Sequence, residues 1–170
     1  GLSAAQWGLI LLSESLLKLG LLIPAGVVVD RWGRTAALIA ALALFTLSSP
    51  LYLLARGFYP VLGVRLLLAI PYALAIPACT ALLTDLVPRS VRGQMMAAIG
   101  QGGIMLGGVG APGGPAIGYL IIPALMLASL AGGYLYTLHP SIPWILATVI
   151  GGLSIALTAL YIRDPGQAEV

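Results

Sequence analysis

The side chains able to do acid–base or ionic chemistry are few: eight Lys or Arg, five Asp or Glu and one His in 170 residues. Glu14 and Lys18 are the most informative, because they lie four apart inside an apolar run and so share one face of a helix. They precede Asp30 by 16 and 12 residues, which at a rise of ~1.5 Å per residue places them near the middle of a bilayer. A charge at that depth costs ~2.5–3.5 kcal/mol on insertion scales, so it faces a cavity or a partner. Two readings stand side by side. The pair neutralises itself and aids packing, or it forms a substrate and proton-coupling site, with Glu14 as proton acceptor and Lys18 contacting an anionic group.

A second group of charges sits at the ends of apolar runs. The stretch GVVVDRWGRTAAL, from Gly26 to Leu38, gathers Asp30, Arg31 and Arg34 within five residues, among Gly26 and Gly33. The stretch TDLVPRSVRG supplies Asp85, Arg89, Arg92 and Gly93. Asp30 is expected just before the second span, where its carboxylate would accept bonds from free amides at a helix N-terminus. Gly26 and Gly33 are expected to allow close approach and a tight turn. As residues alone, Asp30, Arg31 and Arg34 read chiefly as a solvated loop with positive-inside charge, and Asp85, Arg89, Arg92 and Gly93 read equally as topological charge or as a specific latch.

The remaining reactive groups exclude more than they suggest. Cys79 is the single cysteine, so no internal disulfide or thiolate metal site can be built, and it reads as a small buried residue. His139, in TLHPSIP, has no carboxylate or second ligand nearby in sequence and reads as a loop histidine. Neither a nucleophile with its base nor a metal site can be assembled, which argues against an intramembrane enzyme. No organic cofactor is implied. No basic patch with interleaved aromatics points to nucleic acid.

The elements that must position these groups follow from composition. Hydrophobic residues make up 60% of the chain, charged ones 8%, and the mean hydropathy is +1.07; a soluble domain carries roughly 25% charged residues. The expectation is an all-α, polytopic membrane helix bundle in which residues 1–170 form a single membrane domain. Apolar spans are read at about Ala5–Val29, Thr35–Ala55, Val61–Leu83 and Ile142–Ile162, each long enough to cross ~30 Å of hydrocarbon. From Arg92 to Leu138 a continuous helix would measure about 70 Å, and GGVGAPGGPAIG, from Gly107 to Gly118, breaks it. It crosses once, with a re-entrant or surface segment, or twice as a hairpin. Small residues in GQMMAAIGQGGIMLGGVG are expected to let a neighbouring helix approach closely.

Charge sets the orientation. Arg31, Arg34, Arg89 and Arg92 fall on one side and Arg56 on the other, and the positive-inside bias assigns the first group to the cytoplasm. A single crossing after Arg92 keeps Arg163 with that group and is favoured for that reason. The expectation is five crossings in a multi-pass protein of the cell membrane, with the C-terminus cytoplasmic. Arg65 is expected near the outer interface with a snorkelling guanidinium, and Trp7, Trp32 and Trp144 as interfacial anchors. The N-terminus lacks a basic region and an initial Met, so no cleavable signal is read; it is compatible with a start partway through a longer protein.

Gly26, Asp30, Arg31, Gly33 and Arg34 reproduce the pattern G-x-x-x-D-R-x-G-R that joins the second and third helices in each half of the major facilitator superfamily. TDLVPRSVRGQMMAAIGQ resembles the loop from the fourth to the fifth helix of such a half, GGYLY the outer end of the fifth, and YIRDP the exit from the sixth. The resemblance covers nearly the whole chain in the right order. It implies helices two to six of one half, with the C-terminal half expected because the chain stops just after its last helix. It further implies secondary active transport of a small solute by alternating access, energised by an ion gradient or the solute's own gradient. By the same resemblance Asp30, Arg31, Arg34, Asp85, Arg89, Arg92, Gly26, Gly33 and Gly93 form a conformational gate. Asp30 would latch onto the start of the helix after Arg92, and Arg31 and Arg34 would meet lipid phosphate or Asp85. The partners implied are a solute that the sequence does not identify, the lipid bilayer and the remaining half of the transporter. The alternative is a non-transporting scaffold or subunit that assembles with another chain.

Overall fold

The computed structural model describes residues 2–99 and 121–162, and all the regular structure among them is helical. Helix α1 spans Ala4–Trp32 and opens on a capping box: Ser3 Oγ accepts from the Gln6 amide at 3.2 Å, and Gln6 Oε1 accepts from the Ser3 amide at 2.9 Å. Two orphan donors of the first turn are thereby satisfied. The helix runs three residues past the expected Val29 and stops at Gly33, whose φ of +90° is open to glycine and strained for other residues. Its amide closes the last turn on the Val29 carbonyl at 3.1 Å, and α2 (Arg34–Ser48) begins at the next residue.

This junction corrects the expected position of Asp30. Nothing in Asp30-Arg31-Trp32 resists a helix, so the glycine, not the charges, ends it. Asp30 therefore lies in the last turn of α1, at the negative end of that dipole, and not at the N-terminus of the second helix.

Pro50 has no amide to continue the α-helical ladder, and α2 tightens into a 3-10 helix over Ser49–Leu53. Gly57, at φ +88°, turns the chain into α3 (Phe58–Leu86), which carries Pro71 and Pro77 within it. Helices α4 (Arg92–Ile99), α5 (Ile121–Leu138) and α6 (Ile142–Tyr161) follow. Four stretches are long and apolar enough to cross a membrane, namely Ala4–Trp32, Arg34–Leu53, Phe58–Leu86 and Ile142–Tyr161, and α5 adds a fifth apolar helix of 18 residues. The expected all-α bundle of long apolar helices is what the chain forms. The break expected at 107–118, with the choice between one crossing and two, and most of the small-residue run before it lie outside the described residues.

Helix α3 is the centre of the packing: α1 and α2 lie against it, α6 covers the other side of α2, and α5 rests on α6. The core between them is built largely from small side chains, Ala37 and Ala41 on α2 with Ala75, Ala78 and Cys79 on α3, closed by Val29, Leu38, Leu42, Tyr72 and Leu82. Small residues suit helices in lipid, where close van der Waals contact replaces the hydrophobic drive. At Gly151 of α6 the approach is closest: a Cβ there would stand 2.2 Å from Thr46 Oγ1 of α2. Gly26 is different, since a Cβ there would meet nothing within 4 Å. The close approach expected at Gly26 is thus not made among the described residues.

Candidate functional site

The charges inside the helices converge on one point. Trp7, Glu14 and Lys18 recur on α1 at spacings of seven and four, and Arg65 and Tyr72 on α3 at seven, so each set occupies one face of its helix. Packing α1 on α3 brings the two faces together. Glu14 is 4% exposed, and its two oxygens serve two cations: Oε1 lies 2.5 Å from Lys18 Nζ, and Oε2 accepts from Arg65 Nη1 at 3.4 Å.

Aromatic rings complete the surroundings. Lys18 Nζ sits 4.1 Å from the Tyr72 ring centroid, and the Arg65 guanidinium carbon lies 5.2 Å from Trp7 and 5.8 Å from Tyr52. Tyr52 in turn stacks on Trp144 of α6, with centroids 4.2 Å apart. Ring quadrupoles attract both cations. Two donors here, Arg65 Nε and the Tyr72 hydroxyl, are buried and have no hydrogen-bond partner among the described residues.

Arg65 corrects the sequence reading. Its side chain is only 12% exposed and turns to Glu14, because a buried carboxylate offers a stronger partner than the interface. Glu14 and Lys18 are therefore not a closed pair. The signal for Arg65 was present in the sequence as a lone arginine within an apolar run, seven residues before Tyr72, but nothing in it shows which helix α3 faces.

The other charged region lies where α1 passes into α2 and α3 ends. Arg34 Nη1 contacts Asp85 Oδ2 at 2.6 Å, with side chains 34% and 18% exposed. The contact is an ion pair without hydrogen-bond alignment at that oxygen. Each partner stands at the wrong end of its helix for the dipole, a cation at the start of α2 and an anion at the end of α3, and pairing offsets both. Arg92 folds back so that Nη2 donates to the carbonyls of Thr84, at 2.5 Å, and Val87, at 3.3 Å. It satisfies orphan carbonyls at the end of α3.

The rest of the expected gate is not gathered. Asp30, Arg31 and Arg89 are exposed and make no ion pair among the described residues. A Cβ on Gly93 would meet nothing within 4 Å, whereas Gly33 supplies the tight turn described above. Elsewhere, His139 Nδ1 accepts from the Ser141 amide at 3.2 Å in the turn between α5 and α6, and Cys79 is a buried core thiol. Among the described residues no three His, Cys, Asp or Glu side chains converge as metal ligands.

A sequence profile described as Major Facilitator Superfamily matches residues 1–170. Comparison with curated proteins finds no match.

Proposed function

Because the chain belongs to the major facilitator superfamily, a family of membrane transporters and not of enzymes, we propose that it moves a small solute across the membrane by alternating access, coupled to an ion gradient. Family membership by itself suggests transport of a solute through a lipid bilayer. Coupling is the finer reading, and one observation carries it: a carboxylate, Glu14, buried between two cations within the long apolar helices. A carboxylate so placed changes the local charge balance by a full unit when it takes a proton, and its two partners are then released to meet a solute. Glu14 is the proton acceptor in this reading, and Lys18 contacts the solute.

The chain supplies five of the six helices of one half, and the remaining half of the transporter closes the cavity. Rocking of the halves exposes that cavity to each side in turn. The Arg34–Asp85 pair and the exposed Asp30, Arg31 and Arg89 lie at the cytoplasmic ends of the helices in this reading, where Asp30 latches those ends together in the outward-facing state by engaging the start of the helix after Arg92. The C-terminus is on the same side.

The test is flux in proteoliposomes of the purified protein, loaded with a pH-sensitive dye and given neutral, anionic and cationic solutes in turn. The expected result is solute uptake accompanied by proton entry and abolished by a protonophore. Uptake that persists at full extent after the gradient is collapsed defeats the coupling. A protein that moves no solute at all fits the scaffold reading instead.

A further inference from the structure

We propose that the cluster between α1 and α3 binds a solute carrying a single carboxylate or similar oxyanion, held by Arg65, Lys18 and Tyr72. The proposal rests on the transport reading above and adds the substrate class to it. It begins with charge. One carboxylate, Glu14, stands within ion-pairing distance of two cations, Lys18 and Arg65. The cluster therefore carries one positive charge in excess, in a place where an uncompensated charge costs ~2.5–3.5 kcal/mol.

Among the described residues no other acid restores the balance. Of the five acidic residues, Asp164 and Glu169 follow the last helix in sequence, Asp85 is paired with Arg34, and Asp30 is 16 residues along α1 from Glu14. That separation on a helix is about 24 Å.

Geometry narrows the ligand. Arg65 uses Nη1 on Glu14, while its Nε is buried without a partner among the described residues and so keeps a donor for an oxyanion. Tyr72, 9% exposed, has a hydroxyl in the same condition, and its ring carries Lys18. A carboxylate takes hydrogen bonds from all three groups. A halide matches the charge but not the planar fork, and a cation is repelled. With Glu14 ionised, the single excess charge matches a monoanion. The rings of Trp7 and Tyr52 beside the guanidinium suit an apolar solute body.

Trp7 also provides the signal for the test. The protein, purified in mild detergent from its own membrane, is titrated with cyclohexanecarboxylate, with the neutral cyclohexanecarboxamide, and with sodium chloride at equal ionic strength, following tryptophan fluorescence. A saturable change with the carboxylate alone is the expected result. Tyr72→Phe removes only a hydroxyl that bonds to nothing described, so the protein folds as the parent does and binds the carboxylate about tenfold more weakly. Arg65→Lys keeps the charge, loses the planar fork and weakens binding at least as much.

Equal responses to carboxylate and carboxamide, or to carboxylate and chloride, overturn the proposal, as does unchanged affinity in both variants. Flux in proteoliposomes of the same preparation separates the two readings. Uptake of a neutral or cationic solute without carboxylate binding overturns the anion site and leaves transport standing. Carboxylate binding without flux of any solute supports the site and overturns transport.

Discussion

Two carboxylates in this chain each meet an arginine from another helix, and the two meetings have different consequences. At the α2–α3 end, Asp85 and Arg34 are 18% and 34% exposed and form a one-to-one pair. Between α1 and α3, Glu14 is 5% exposed at its side chain and holds both Lys18 and Arg65. Where water still reaches the groups, the Coulomb gain is screened and the pair serves mainly to correct two helix dipoles. Glu14 itself is cut off from water while Lys18 stays 31% exposed, and removing that one buried carboxylate strands two cations at once.

The comparison can be broken at its strongest point first. Glu14→Gln leaves two cations without a counter-charge and is expected to cost about 3–5 kcal/mol, read as a lowered Tm in detergent. In proteoliposomes the same variant is expected to lose proton-driven accumulation while downhill exchange persists. A variant as stable and as well coupled as the parent removes Glu14 from the centre of the site. Next in size is Arg92→Gln, which withdraws a charged donor from two carbonyls at the end of α3; a loss of about 1–2 kcal/mol is expected, with hydrogen exchange accelerating first in residues 83–87. Smallest is Asp85→Asn, at about 0.2–1 kcal/mol, an effect that 0.5 M salt should erase by screening. If Asp85→Asn costs as much as Glu14→Gln, the contrast between the two regions is wrong.

Much of this molecule was legible from residue order. The apolar runs located α1, α3 and α6 to within about three residues, since the alternation of apolar stretch and charged or glycine-containing break is a local property. The errors share one cause. Asp30 is expected just before the second span because the apolar run stops there, but a charged residue does not end a helix; the positive φ at Gly33 does. Gly26, expected to allow close approach, meets nothing within 4 Å among the described residues, while Gly151, which carries no signal of its own, packs directly on Thr46. Whether a small residue matters depends on what lies opposite, and a sequence does not state that.

The candidate site divides in the same way. Glu14 and Lys18 are neighbours by helical periodicity, so their pairing is written in a spacing of four. Arg65 is 51 residues from Glu14, and the two meet because α1 packs along α3. By itself the sequence determined the membrane class, the spans, the family pattern around Asp30 and the pair on α1, because these follow from local hydropathy and backbone geometry. Only the tertiary structure decided that the pair is a triad with one excess positive charge. Contacts between helices arise from the fit of whole faces, and no local rule specifies that fit.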